Sequence, residues 1–228
     1  MIEKKINLDS SWSGVVKWGG LSLFTAGLIL VLFILLVFIT QQTLPLLARE
    51  ALENPLFPTI LFSLAALGEF FLLPGGLGLY FSLSNIKKTP MFIATAMWLL
   101  AAPMFLASRG LIVSLSQISD RYLDTTSETM KTAYLASAEL AIETQNIYAM
   151  MALSLLSVAT IMIGRVMLKG EFGGYMGYIA IIAGALTIFS PFGVIWGIPI
   201  IIPFIGLILT AVWQIVIGFK LYKLGKNV

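Results

Sequence analysis

The sequence contains no cysteine and no histidine among its 228 residues. Without cysteine the chain has no disulfide, no thiolate nucleophile and no thiolate metal ligand. Without histidine it has no imidazole to bind a metal or to transfer protons near neutral pH. No metal site and no cofactor are therefore expected. A group that titrates near pH 7 would have to be a carboxylate or a lysine with a shifted pKa.

Charged residues are also scarce. They make up 11% of the chain, whereas hydrophobic residues make up 59%. A soluble domain carries about 25% charged residues, so the composition indicates a membrane protein. The net charge of +3 does not indicate nucleic-acid binding, because the basic residues flank the apolar segments. The lipid bilayer is the expected partner, and no nucleic-acid partner is expected.

Six apolar segments approach the length of about 20 residues that crosses a bilayer. They predict an all-α fold, a polytopic six-transmembrane-helix bundle that forms a single integral membrane domain over residues 1–228. The predicted spans are 21–40, 58–83, 91–115, 147–168, 175–192 and 199–219. A short surface helix is expected between the first two spans, within residues 41–57.

An outer polar segment, residues 116–146, is expected between the third and fourth spans. Ser127 followed by Glu128 is typical of a helix start. From this point a helix either runs unbroken into the fourth span or is interrupted near residues 144–146. The interruption is the favoured interpretation, since an unbroken helix would be about 60 Å long.

Lysine and arginine are distributed unequally between the loops. Ten of them fall on the side that holds both termini and the 84–90 and 165–174 loops, and three fall on the opposite side. Cytoplasmic loops are enriched in these residues. The sequence therefore predicts a multi-pass protein of the cell membrane with cytoplasmic N- and C-termini (N-in/C-in).

Two ionisable residues of opposite charge lie within adjacent spans. Glu69 is 11 residues, or about 16 Å, from the outer end of the second span, and Arg109 is about 10 Å from the outer end of the third. A short loop joins these spans, so they should be antiparallel neighbours. We predict an ion pair inside the bundle, because an unpaired charge at this depth is costly.

Other roles for these two residues stay open. Arg109 could extend to the headgroups, and Glu69 could be protonated against a backbone carbonyl. The pair could equally hold the two spans in register without contacting any solute. Pro74, Gly75 and Gly76 follow Glu69 and either expose backbone to a ligand or ion pathway or form a kink that allows close packing.

Polar residues at the outer mouth of the fourth span form a second candidate feature. Glu139, Glu143 and Asn146 recur at helical spacing, and they form either a rim that attracts cations or an ordinary solvated helix face. No catalytic motif and no second intramembrane carboxylate accompany Glu69, so an enzyme is not expected.

The leading expectation is a small-solute or ion transporter, or a channel-like protein, with an intramembrane Glu–Arg centre. The alternative is a non-transporting membrane subunit or sensor that binds other membrane proteins or lipids. A lipid or a small solute is the expected ligand. Homo-oligomerisation and assembly into a membrane complex both stay open.

The layout and two stretches of the C-terminal half resemble a known family. These stretches are GRVMLKGEFGGYMGYIAIIAGALTIF and AVWQIVIGFKLYKLGK. They are similar to an uncharacterised prokaryotic six-transmembrane-helix family, a domain of unknown function. The resemblance implies a six-helix fold but no substrate, cofactor or catalytic residue. Phe172-Gly173-Gly174 replaces the aliphatic-Pro-Arg sequence that is usual in that family at the entry to the fifth span.

Overall fold

A computed structural model describes residues 10–40, 47–170, 172, 174–189, 199 and 201–227. The described residues are helical and contain no β-strand, so the all-α prediction is confirmed. After a 3-10 turn at Ser10–Trp12, the helices are α1 (Ser13–Thr40), α2 (Ala48–Glu53), α3 (Leu56–Phe70), α4 (Leu72–Leu83), α5 (Lys88–Asp124), α6 (Glu128–Met167), α7 (Gly174–Thr187) and α8 (Ile201–Lys226).

Within the described residues, five helical segments are long and apolar enough to cross a membrane. They are Ser10–Thr40, Leu56–Leu83, Lys88–Asp124, Glu128–Met167 and Ile201–Lys226. Helix α7 is apolar but has 14 residues, which is shorter than a bilayer crossing requires. Residues 190–192 of the predicted fifth span and residue 200 of the predicted sixth span lie outside the described residues.

The helices form a ring in chain order. α1 packs against α3 and α4, which pack against α5; α5 then packs against α6, α6 against α7, and α7 against α8. The last helix, α8, packs along α1 and closes the ring. Because each helix lies beside its sequence neighbours, each presents one face to a common centre.

Helix α2 packs against α5 and α6 of this ring. A short surface helix was expected within residues 41–57, and α2 occupies Ala48–Glu53, while residues 41–46 lie outside the described residues. Ala51 and Leu52 are buried, and the Ser119 hydroxyl of α5 donates a hydrogen bond to the Leu52 carbonyl. This helix is therefore docked on α5 through its apolar face.

The second apolar segment is interrupted at Phe71, between α3 and α4. Pro74 does not break the helix at its own position; it lies in the first turn of α4, where its missing N–H costs least. The Gly75 amide still donates to the Phe71 carbonyl at 3.3 Å. The proline therefore shifts the interruption three residues toward Glu69 and leaves Gly75 and Gly76 helical.

Helices α5 and α6 are much longer than a bilayer crossing. Their 37 and 40 residues correspond to about 56 Å and 60 Å, about twice the hydrocarbon thickness. The predicted polar segment 116–146 is therefore not a loop. It consists of the end of α5, a three-residue connection at 125–127 and the first half of α6, which together form a helical hairpin.

The interruption expected near residues 144–146 is wrong, because α6 is continuous through them. Tertiary contacts explain the difference. The Thr144 hydroxyl donates to the Leu140 carbonyl of its own helix, and Gln145 is buried against α5. The helix start was predicted correctly, since the Ser127 side chain accepts a hydrogen bond from the Met130 amide.

Glycines bring α1 into backbone contact with two neighbours. A Cβ at Gly19 would lie 2.7 Å from the Gly78 Cα of α4, and one at Gly20 would lie 2.7 Å from the Gly218 carbonyl oxygen of α8. No side chain fits at these separations. The two glycines therefore determine how closely α1 approaches α4 on one side and α8 on the other.

The chain segments rich in basic residues meet at one end of the bundle. Trp12 stacks on Phe81 with ring centroids 3.9 Å apart. Lys220 Nζ donates to the Phe172 carbonyl at 2.8 Å. The Lys169 side chain, within hydrogen-bonding reach, lowers the pKa of Lys87. The first helix, the last helix and the loops near residues 85 and 170 thus share one end.

Candidate functional site

A cavity of about 500 Å³ lies at the centre of the ring. All the ring helices contribute to its wall: Ala26, Ile29, Leu30 and Phe33 of α1, Phe62, Ala65, Gly68 and Glu69 of α3, Leu72 of α4, Phe105 and Arg109 of α5, eight residues of α6 from Gln145 to Thr160, Thr187 of α7, and Leu207, Thr210 and Gln214 of α8. The wall is mainly apolar with a few polar groups, which is typical of a small-molecule site.

Glu69 and Arg109 form the ion pair that was expected from the sequence. Arg109 Nη2 and Nε donate to the same oxygen, Glu69 Oε1, at 2.8 Å and 3.0 Å. Both side chains are largely buried, with 12% of Glu69 and 14% of Arg109 exposed. Such a pair is tolerated in a low-dielectric interior because each charge compensates the other.

Two aromatic rings hold the guanidinium in place. Arg109 Cζ lies 5.4 Å from the centre of the Phe62 ring and 5.6 Å from the centre of the Phe105 ring. A cation over an aromatic face is attracted by the negative charge of the π cloud. Arg109 is therefore fixed by Glu69 and by both rings, and it does not extend to the headgroups.

The second oxygen of the Glu69 carboxylate does not take part in the ion pair. Glu69 Oε2 is buried and has no hydrogen-bond partner in the described structure. A buried carboxylate oxygen without a donor is unfavourable, and this one belongs to a residue of the cavity wall. The hydrogen-bonding capacity of this oxygen is therefore unused in the described structure.

Gln145 connects the cavity wall to α5. Its Nε2 donates to the Ser108 hydroxyl at 3.1 Å, and that hydroxyl donates to the Gln145 carbonyl oxygen at 3.2 Å. Ser108 and Gln145 are both buried. This reciprocal pair fixes α6 against α5 one residue away from Arg109.

A second set of polar residues in the wall consists of four hydroxyl residues and one glutamine. Ser157 Oγ and Thr187 Oγ1 are 2.9 Å apart and join α6 to α7. Thr160 and Thr210 each donate to a carbonyl of their own helix. Gln214 Oε1 is buried and has no partner in the described structure. The cavity thus has polar groups on the α3–α5 side and on the α6–α8 side.

The structure places three of the predicted site residues in the cavity wall: Glu69, Arg109 and Asn146. Pro74, Gly75 and Gly76 are not in the wall. A Cβ at Gly75 would lie 3.2 Å from Leu23 Cδ1 and one at Gly76 would lie 2.6 Å from Trp98 Cδ1. The described contacts of these glycines are therefore packing contacts against α1 and α5.

The acidic residues of the predicted outer rim do not reach the cavity. Glu139 and Glu143 are exposed on α6 and are not part of the wall. Among the described residues no cluster of three metal-ligating side chains occurs.

Sequence reasoning missed the hydroxyl residues of the wall. Ser157 and Thr160 are three residues apart in α6, in a stretch whose other polar residue is Ser154, and this spacing places them on one helical face. That spacing could have identified them. Thr187 and Thr210 carry no comparable pattern, because each is a single hydroxyl in an apolar helix. Only the ring topology brings them together.

Comparison with family models, with curated proteins and with solved structures found no match. The resemblance in the C-terminal half therefore stays an expectation, and no residue role is taken from a relative.

Proposed function

We propose that the protein is a multi-pass membrane transport protein that carries a small solute through the cavity at the centre of its helix ring. The single observation that carries this proposal is that the cavity wall contains the buried Glu69–Arg109 pair. A pair that only held α3 and α5 in register would need no adjoining cavity, and no carboxylate oxygen without a donor. Intramembrane charges beside a cavity are typical of solute pathways.

The proposal includes six membrane crossings with both termini in the cytoplasm. The ring contains six units in chain order, with α3 and α4 as one unit, and this arrangement supports an even number of crossings. The clustering of basic loops at one end supports cytoplasmic placement of that end.

Access from water to the cavity is tested with single cysteines. The chain has no cysteine of its own, so Ala149→Cys places one thiol in the wall of the cavity. We expect this thiol to react with a charged, membrane-impermeant methanethiosulfonate. The matched control is Ala159→Cys in the same helix, since Ala159 is fully buried and is not part of the wall. Equal labelling of the two variants would contradict the proposal.

Transport itself is tested with purified protein in liposomes. Fluxes of protons, Na⁺, K⁺ and a panel of small organic cations and anions are compared for the wild type, Glu69→Gln and protein-free vesicles. We expect at least one solute for which the wild type conducts and Glu69→Gln reduces the flux tenfold or more. Fluxes equal to protein-free vesicles for every solute would overturn the transport function.

One observation favours the second candidate, a membrane subunit or sensor. The α5–α6 hairpin is about twice as long as the hydrocarbon is thick and exposes Leu123 and Leu140. This candidate predicts no flux for the protein alone, so the liposome experiment separates the two.

A further inference from the structure

Two residues of the cavity wall each carry a buried hydrogen-bond acceptor without a partner in the described structure. Four buried side-chain atoms lack a partner in the described structure, and two of them, Glu69 Oε2 and Gln214 Oε1, belong to the wall. Both are oxygens that accept hydrogen bonds. The residues stand on α3 and α8, so the two acceptors belong to different helices of the wall.

The threonine hydroxyls of the wall can also act toward the cavity only as hydrogen-bond acceptors. Thr160 donates to the Leu156 carbonyl at 2.7 Å, and Thr210 donates to the Gly206 carbonyl at 2.8 Å. A hydroxyl has one proton, so each of these oxygens can offer the cavity only its lone pairs. Thr187 likewise donates to the Ala183 carbonyl at 2.8 Å, and Ser157 is then the donor in the bond between them.

Three donor atoms of the wall are already engaged within the protein. Arg109 directs Nε and Nη2 to Glu69, and Gln145 directs Nε2 to Ser108. The Asn146 side chain, which is only half-buried, offers both a donor and an acceptor. A ligand with N–H groups would complement the two oxygens without a partner, Glu69 Oε2 and Gln214 Oε1, whereas an anion would bring further acceptors to them.

The remaining wall is apolar and partly aromatic. Phe33, Phe62 and Phe105 line it together with leucines from α1, α4, α6 and α8. A volume of about 500 Å³ lies in the range of organic ligand sites, about 300–1,000 Å³. A bare metal ion would leave most of this apolar surface without a contact, whereas an apolar body would fill it.

We infer that the cavity binds an organic ammonium compound, a protonated amine on an apolar body, with its N–H groups directed at Glu69 Oε2 and Gln214 Oε1. This inference rests on the proposed transport function for its physiological meaning, but the binding itself is independent of transport. Glu69, whose other oxygen is paired with Arg109, accepts from the ammonium through Oε2, and the aromatic rings and leucines contact the apolar body.

Three probes with the same apolar body test the ligand class. They are 4-phenylbutylamine, its N,N,N-trimethyl derivative and 4-phenylbutyrate, titrated calorimetrically into the protein in nanodiscs, with empty nanodiscs as the blank. We expect the primary amine to bind most tightly. The trimethyl derivative keeps the charge but has no N–H donor, so we expect it to bind about tenfold more weakly or worse. We expect no binding of the carboxylate.

Gln214→Leu is the decisive variant. Its acceptor oxygen has no partner, so an apolar residue of similar size should leave the fold intact. We expect amine affinity to fall about tenfold while the thermal midpoint stays the same or rises. Glu69→Gln should weaken amine binding at least as much. Gln117→Leu, on the exposed surface of α5, is the matched control and should bind like the wild type.

The outcomes separate the ligand class from the transport function. Tighter or equal binding of 4-phenylbutyrate, or amine binding unchanged in Gln214→Leu and Glu69→Gln, would overturn the inference. Amine binding without flux of any solute would retain the ligand class and overturn transport. Glu69-dependent flux of another solute, with no amine binding, would retain the transport function and overturn the ligand class.

Discussion

At the scale of single residues, the Glu69–Arg109 pair uses one oxygen of the carboxylate and leaves the other without a partner among the described residues. Oε1 receives both guanidinium hydrogen bonds, and Oε2 receives none in the described structure. Arg109 is therefore positioned to stabilise the charge of Glu69 without occupying its second oxygen.

Arg109→Leu should destabilise the protein by about 3–5 kcal/mol, because it leaves Glu69 buried without a counter-charge. The double variant Glu69→Leu/Arg109→Leu should lose less than Arg109→Leu alone, since neither charge then remains. Unfolding in mixed micelles, followed by circular dichroism, measures both. Arg121→Leu, at an exposed position of α5, serves as the control. A double variant less stable than the single would contradict this account.

Ser108→Ala should cost about 1–3 kcal/mol, because the buried Gln145 amide loses the hydroxyl that accepts its hydrogen bond. Ser114→Ala in the same helix should change stability by less than about 0.5 kcal/mol. Ser114 is exposed, and its hydroxyl donates only to the Leu111 carbonyl of its own helix. The same unfolding measurement compares the two; equal effects would show that the Ser108–Gln145 contact is unimportant.

At the scale of helices, the packing of α1 depends on glycine. Its backbone meets the backbones of α4 and α8, and both contacts require a residue without a side chain. The helix itself is apolar all round, so amphipathicity does not determine which face turns inward. The positions of its glycines determine that face.

The sign of a glycine-to-alanine change should therefore depend on position. Gly19→Ala places a Cβ 2.6 Å from the Pro74 carbonyl oxygen, and we expect a loss of about 1–3 kcal/mol from overpacking. Gly110→Ala meets nothing within 4 Å, and we expect a gain of about 0.5–1 kcal/mol from the higher helix propensity of alanine. Thermal midpoints in detergent test whether the two substitutions change stability in opposite directions. A lower midpoint in both variants would contradict this prediction.

The sequence predicted some helices better than others for a physical reason. Long apolar runs identify α1 and α8, and the depth of Glu69 and Arg109 within adjacent runs predicted their pairing. The continuity of α6 was missed, because an unbroken helix of about 60 Å exceeds what a bilayer crossing needs. The buried contact between Gln145 and Ser108 supports the longer helix, and contacts across 37 residues are not visible in local composition.

At the scale of the whole molecule, the ring order creates the site. None of the helices carries more than a few polar groups into the wall, and the cavity depends on all of them. The charge pair was predictable from two residues, but the hydroxyl residues of α6, α7 and α8 were not, because their proximity follows from ring closure between α8 and α1.

Topology is tested across the membrane with single thiols. Lys87→Cys and Lys169→Cys should react with an impermeant maleimide from the cytoplasmic side, because these residues lie at the basic end of the bundle. Thr126→Cys, in the α5–α6 connection, should react only from the opposite side. Labelling is compared in right-side-out and inside-out vesicles. Reaction of Lys87→Cys and Thr126→Cys from one side would contradict the six-crossing arrangement.

The continuity of α6 has a mechanical consequence. The helix is a single rod from Glu128 to Met167, and its first residue stands about 26 Å along the axis from Gln145. Gln145, which begins the part of the rod that lines the cavity, is hydrogen-bonded to Ser108 of α5. The half of α6 that extends beyond the cavity is therefore covalently and helically continuous with the half that forms its wall.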